Sequence, residues 1–303
     1  MSQRISESAP PPGGWRIWYL AARPRTLPAA IVPVLVGSAV AVHEGRFNPI
    51  VFAATLIVSL LLQIGANYAN DLFDFLKGAD HQRQGPLRVT QSKLVTPRQM
   101  TVALIIVFGT AGLIGVYLAL VGGWPIVIIG VVSMLAAIGY TAGPFPLAYR
   151  GLGDVAAFVF FGLVAVMGTT YLHLLTFSPW SLIAALPVAL LVTAVIIVNN
   201  LRDIQTDRAA GKITLAVRIG DRATRIEYTL CLSAAYVVPI GLMAATGSIG
   251  WWWLAGLTVP FAYTLIRTIL NGQAGQALNQ TLGHTAQLHL YFGILFAMSW
   301  LLA

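Results

Sequence analysis

Charge is what this sequence has least of. Asp, Glu, Lys and Arg make up 9% of its 303 residues, against 57% hydrophobic ones. A soluble domain carries roughly a quarter of its residues as charges, so water is excluded as the main solvent of this chain. Cysteine occurs once, as Cys231 in an apolar run, which excludes an intramolecular disulfide and any clustered thiolate metal site. That cysteine reads as a small buried hydrophobe. Strict apolar/polar alternation is missing from the long runs, which excludes a membrane β-barrel. Pro10, Pro11, Pro12, Gly13 and Gly14 stand where the apolar core of a signal peptide would begin, so no signal peptide is expected and residues 1–14 are expected to form a disordered tail.

Apolar runs of about 17 to 25 residues fill the remainder, each long enough to cross a hydrocarbon core of roughly 30 Å as a helix. Backbone groups in lipid must be satisfied within their own segment, which selects helices. The expected fold is all-α: a polytopic bundle of nine transmembrane helices forming a single domain over residues 15–303. The spans are expected at Leu27 to Val42, Ile50 to Ala69, Val102 to Val121, Ile126 to Tyr140, Val155 to Leu172, Leu182 to Val198, Tyr228 to Ala245, Trp252 to Leu270 and Leu288 to Leu302. Basic residues favour the cytoplasmic side. With this span count every Lys and Arg except Arg46 falls on one side, which places the N-terminus in the cytoplasm and the C-terminus outside. The net charge of +8 lies between spans, where anionic lipid and topology account for it, so nucleic acid is set aside as a partner.

The few acids are not scattered. The first cluster, NYANDLFDFLKGAD from Asn67 to Asp80, closes the second span, and the second, NNLRDIQTDRAAGK from Asn199 to Lys212, closes the sixth. Four spans separate them, so both emerge on the same, cytoplasmic, face. Asn70 and Asp74 are one helical turn apart, as are Asn199, Asp203 and Asp207, so each helix presents a face of oxygen ligands. Carboxylates gathered at the end of an apolar helix repel one another and resist desolvation unless a cation joins them. Carboxylate and amide oxygens suit magnesium, which bridges protein acids to substrate phosphates. Asn67, Asn70, Asp71, Asp74, Asp80, Asn199, Asp203 and Asp207 are the candidate metal ligands. Two such faces opposite each other would hold a diphosphate between them, with Arg83, Arg88 and Lys212 to neutralise its remaining charge. The bland alternative is that the acids sit in headgroup water and pair with nearby Arg and Lys.

At these residues the chain resembles the UbiA superfamily of intramembrane aromatic prenyltransferases, whose pattern is an NDxxDxxxD-type motif followed by a DxxxD-type motif. ARPRTLP (Ala22 to Pro28), ANDLFDFLKGAD, GPLRVTQS (Gly85 to Ser92), YRGLGD (Tyr149 to Asp154), NNLRDIQTDRAAGKITLAVRIG (Asn199 to Gly220) and ALNQTLGHTAQL resemble its menaquinone branch, which acts on 1,4-dihydroxy-2-naphthoate. The resemblance implies magnesium-dependent transfer of a polyprenyl group from polyprenyl diphosphate to that acceptor, giving demethylmenaquinone, diphosphate and carbon dioxide, in a bacterial cytoplasmic (inner) membrane with the active site on the cytoplasmic side. It implies catalytic parts for Asp71, Asp74, Asp203 and Asp207, with Phe73, Phe75, Tyr68, Phe160 and Phe161 as candidates to shield an allylic cation. Two departures stand out. Asp74 and Asp80 are six apart rather than four, and a tyrosine-lysine pair of some relatives has no lysine after Tyr140, leaving Tyr140 or Arg150 to substitute or Tyr140 to act only as an interface anchor. Two rival functions remain: prenylation of 4-hydroxybenzoate or another phenol, and cation transport, since intramembrane acids also mark ion paths.

Overall fold

The computed structural model describes residues 13–78, 85, 87–246 and 250–303. The expected tail up to residue 12, and the candidates Asp80 and Arg83, lie outside the described residues. Among the described residues all regular structure is helical. A short helix α1 (Trp15–Ala22) precedes α2 (Pro28–His43), and then come α3 (Pro49–Leu76), α4 (Pro97–Gly122), α5 (Trp124–Gly139), α6 (Gly153–Leu174), α7 (Pro179–Ala209), α8 (Leu215–Ala245), α9 (Trp252–Leu270) and α10 (Gly275–Leu302).

The nine expected spans all fall on helices, but not all are full spans. Seven helices are long and apolar enough to cross a membrane, and the segment Trp15–Thr26 with α2, bent by 55°, makes an eighth. Helix α5 has 16 residues, a rise of about 24 Å, and falls short. Helix α8 starts at Leu215, well before the expected Tyr228, because its first turns carry Arg218, Arg222 and Arg225 and hide from a hydropathy reading. Arg225 pairs with Asp221 at 2.7 Å and donates to the Gln273 carbonyl at 2.9 Å, so this basic stretch is ordered helix rather than loop.

Local chemistry fixes where the main helices start. Asn48 caps α3, its side chain accepting from the Ile50 and Val51 amides at 3.0 and 3.2 Å, with Pro49 at the first helical position. Ser178 does the same for α7 ahead of Pro179, and Thr96 with Gln99 closes a reciprocal capping box on α4 ahead of Pro97. A capping oxygen satisfies an orphaned amide and proline supplies a preset φ where no donor is needed.

Helix α7 is buried over most of its length and is the post around which the others stand. Small residues let backbones close in, as they must where lipid gives no hydrophobic drive for helix pairing. A methyl group on Gly37 of α2 would stand 2.5 Å from the Val166 carbonyl oxygen of α6, and one on Gly162 of α6 would overlap Ala189 of α7. Within α6 the stretch Ala157–Val164 is a π-helix, the wide-turn geometry that recurs at functional sites. At the end of the bundle where α3 begins, Trp180 and Trp252 meet Trp300 edge-on at 5.9 and 4.9 Å, and Arg46 donates to the Leu174 carbonyl at 3.3 Å. Aromatic rings of this kind suit a membrane–water boundary. Helices α2 to α7 and α10 enclose one central cavity of about 320 Å³ that opens at the other end.

Candidate functional site

Both acid-bearing helices end at this cavity. Asn67, Asn70 and Asp74 from α3 face Asn199, Asn200, Asp203 and Asp207 from α7 across its mouth, with Arg88 and Lys212 beside them. The two clusters therefore share one space at one end of the bundle.

On α3 each side chain is held by a different element. The Asn67 amide donates to the Ala22 carbonyl at 2.9 Å and to the Thr26 hydroxyl at 3.0 Å, tying the entry loop to the site. The Asn70 side-chain oxygen accepts from the Thr141 hydroxyl at 3.1 Å, and its carbonyl accepts from Arg88. Asp74 accepts from Arg88 Nη2 at 2.7 Å on one oxygen and from the Tyr149 hydroxyl at 2.8 Å on the other. Asp71 departs from the expectation. It does not line the cavity, and its two oxygens accept from the backbone amides of Val89 and Thr90, each at 3.1 Å. The physical reason is its place on the helix: Asp71 is about 100° round from Asn70, on the edge over which the following loop returns with two amides that need acceptors.

On α7 the central group is Arg202, which composition-based reasoning left among the loop cations. It is 3% exposed and grips Asp203 with two bonds, 2.8 Å from Nε and 2.5 Å from Nη2. The same guanidinium donates to Asn199 and, across to α10, to Asn279, both at 2.9 Å. Such a fork fixes geometry as well as charge. Lys212 stands 3.6 Å from Asp207 Oδ1, while Asp207 Oδ2 is buried and has no hydrogen-bond partner among the described residues. Asn200 donates to both oxygens of Asp154 at 3.3 and 3.4 Å, which brings a further buried acid behind the mouth.

The loop between α5 and α6 spans the two clusters. Tyr140 lines the cavity, its hydroxyl packed where a methyl group on Gly153 would come within 2.8 Å. The Tyr149 ring lies 4.4 Å from Lys77 Nζ and 5.7 Å from Lys212 Nζ. Lys77 also donates to the Thr141 carbonyl at 2.6 Å; desolvation draws its pKa below the ordinary lysine range while Asp74 pulls the other way. Arg150 is not part of the cavity. It is exposed, with its guanidinium 4.9 Å from the Phe145 ring centre. Of the residues that sequence reasoning passed over, Arg202 had a signal, lying three after Asn199 and one before Asp203; Tyr149 and Asp154 had none beyond their presence in YRGLGD.

Below the mouth the cavity is apolar. It reaches from Asp74 down to Thr55 on α3, 19 residues or about 28 Å along the helix. Leu62, Leu118, Ile129, Val164 and Leu172 wall it, and Phe160 and Phe161, from the π-helical stretch, face into it. Tyr68 is instead buried against Trp18, its hydroxyl donating to the Trp18 carbonyl.

Among the described residues no three His, Cys, Asp or Glu side chains converge into a closed metal cage. Magnesium seldom uses one, taking one or two carboxylates together with waters and substrate phosphates. The unpartnered oxygen of Asp207 beside Asp203, facing Asp74, is a donor set that fits this habit.

A family model described as the UbiA prenyltransferase family matches residues 30–289. The 1,4-dihydroxy-2-naphthoate octaprenyltransferase of Mycobacterium leprae is 39% identical over 271 residues, which cover 88% of this chain and 90% of that protein. That of Escherichia coli is 38% identical over 290 residues, 93% of this chain and 94% of that protein. Among solved structures, a UbiA homolog from Archaeoglobus fulgidus bound to GPP and Mg2+ superposes with a TM-score of 0.64 at 12% identity, covering 93% of this chain and 99% of that one. At that identity the likeness is one of fold.

Proposed function

The chain belongs to the UbiA prenyltransferase family, and from that premise we propose that it transfers a polyprenyl group from its diphosphate to 1,4-dihydroxy-2-naphthoate. The observation that carries this reading is the single cavity with a charged mouth and an apolar shaft: a diphosphate fits between the two acid-bearing helices while an isoprenoid tail lies along the shaft. Magnesium, held by Asp74, Asp203 and Asp207 with Asn70 and Asn199 at hand, would neutralise the diphosphate and make it a better leaving group. Lys212 and Arg88 add positive charge at the same mouth. As the C1–O bond breaks, its electron pair leaves with the diphosphate and cationic character develops at C1. Fixed charges at the mouth stabilise that separation, the largest catalytic effect expected of such a site, and the faces of Phe160 and Phe161 offer negative π-density to the cation.

The naphthoate carbon bearing the carboxylate then attacks C1, and loss of carbon dioxide from that carbon restores the aromatic ring. The products are diphosphate, carbon dioxide and demethylmenaquinone in its reduced, quinol form. We place the mouth on the cytoplasmic side of a bacterial inner membrane, since it lies at the opposite end of the bundle from Arg46, the one basic residue outside the positive face.

A direct test supplies membranes containing the protein with one polyprenyl diphosphate and with 1,4-dihydroxy-2-naphthoate and 4-hydroxybenzoate in competition, with and without magnesium. The expected result is a prenylated, decarboxylated naphthol product that requires magnesium. Exclusive prenylation of 4-hydroxybenzoate would overturn the acceptor, and cation flux into liposomes without any prenyl substrate would revive the transport reading.

A further inference from the structure

Tyr149 has no part in the reaction just described, yet it touches more of the mouth than any acid does. It stands in the short turn Leu147–Arg150 between α5 and α6, away from both acid-bearing helices in sequence. Its hydroxyl donates to Asp74 at 2.8 Å, on the oxygen that Arg88 leaves open. Its ring has Lys77 Nζ at 4.4 Å and Lys212 Nζ at 5.7 Å from the centroid. Lys212 in turn stands 3.6 Å from Asp207. One side chain thus joins the end of α3, through Asp74 and Lys77, to the end of α7, through Lys212 and Asp207.

We propose that Tyr149 is a positioning residue for the substrate diphosphate: its ring is the platform that holds Lys77 and Lys212 at the mouth, and its hydroxyl fixes the orientation of Asp74. The physical case rests on the flexibility of lysine. A lysine ammonium on a four-carbon stem has no fixed direction of its own, and an aromatic face within about 6 Å supplies one by attracting the cation. Two lysines from different helices share this one ring, and both lie near where the phosphates of the substrate would sit. The hydroxyl performs a separate task, because a carboxylate held on one oxygen by Arg88 can still pivot about that bond, and the second hydrogen bond stops it. The inference rests on the prenyl diphosphate reading of the mouth.

The two tasks separate by substitution. In purified protein reconstituted into lipid nanodiscs, binding of geranyl thiolodiphosphate, whose C1 is attached through sulfur and ionises poorly, is measured by calorimetry without magnesium. Turnover of geranyl diphosphate is measured with magnesium. Tyr149→Phe keeps the platform and loses the hydroxyl, so its Kd should stay within about twofold of the parent while kcat falls about tenfold. Tyr149→Leu loses both, and its Kd should rise about tenfold. In a Lys77→Met, Lys212→Met background the Leu substitution should add less than about twofold to Kd, since the cations it served are gone. A residue that merely filled space would weaken all backgrounds alike. Equal Kd values for the Phe and Leu variants, or a full additional loss in the Met background, would overturn the proposal. If the Leu variant does not fold, the Phe variant set against the lysine double variant carries the same test: the first must change kcat and the second Kd. Failure of the parent protein to bind the analogue would bring down the prenyl diphosphate reading and this inference together, whereas binding by the parent with indistinguishable Phe and Leu variants removes only the role of Tyr149.

Discussion

Helices α3 and α7 end in similar runs of Asn and Asp, and the bundle uses the two runs differently. On α3 the oxygen-bearing side chains are divided among neighbours: Asn67 secures the entry loop, Asp71 secures the 89–90 loop, and Asp74 faces the cavity between Arg88 and Tyr149. On α7 the acids stay together. Asp203 is clamped by Arg202 of its own helix, and Asp207 keeps one oxygen unpartnered among the described residues. The difference follows from what comes next in the chain. A long loop returns over the end of α3 with amides to satisfy, whereas α7 passes within a few residues into α8 and leaves its acids free for a ligand. Equal spacing in sequence is thus compatible with unequal roles, because a carboxylate goes to whichever donors reach it first.

The comparison can be broken most easily at the acids. Asp203→Ala, Asp207→Ala and Asp74→Ala should each lower kcat/KM by about 10²- to 10³-fold, the loss typical of removing one preorganised electrostatic contact, with membrane insertion unchanged. Near-normal turnover by a purified Asp74 or Asp203 variant would remove the site assignment. Asp71→Ala should act mainly on folding instead. It strips two buried amides of a charged acceptor, a cost of about 1.5–3 kcal/mol per bond, so thermal unfolding in detergent should shift well down while Asp71→Asn recovers part of the loss. An Asp71→Asn protein that is as stable as the parent and inactive would restore Asp71 to the same role as Asp74. The smallest change lies below both clusters. Gly115 lines the shaft with open space around it, and Gly115→Leu should shift the preference between short and long prenyl diphosphates by about tenfold towards the short, since filling a hydrophobic pocket discriminates by roughly 1–3 kcal/mol per methylene. The magnesium dependence should be untouched; a change in it would mean that shaft and mouth do not act separately.

Much of this site was legible before any coordinates. The helical spacing of Asn70 with Asp74 and of Asn199 with Asp203 and Asp207 put oxygen ligands on one face of each helix, and the even number of spans between them put both faces at one end. What spacing could not supply was orientation at the edge of a face, and there Asp71 turned out to lie over the loop rather than the cavity. Arg202 was hidden for another reason. A cation beside acids at a helix end reads as a solvated counterion, and only packing against α10, through Asn279, shows that it is buried and shared. Helix α8 was shortened in the sequence reading because its first turns are basic, which hydropathy treats as loop although an amphipathic turn in the headgroup region is still helix.

By itself the sequence determined the solvent, the helices and the pairing of the two acid runs, since burial in lipid permits few backbone solutions and helical periodicity is local. Tertiary structure alone decided which of those acids meets a ligand and what holds it there. Contacts such as Tyr149 with Asp74, or Arg202 with Asn279, join residues 75 and 77 positions apart, and no local rule of spacing reaches that far.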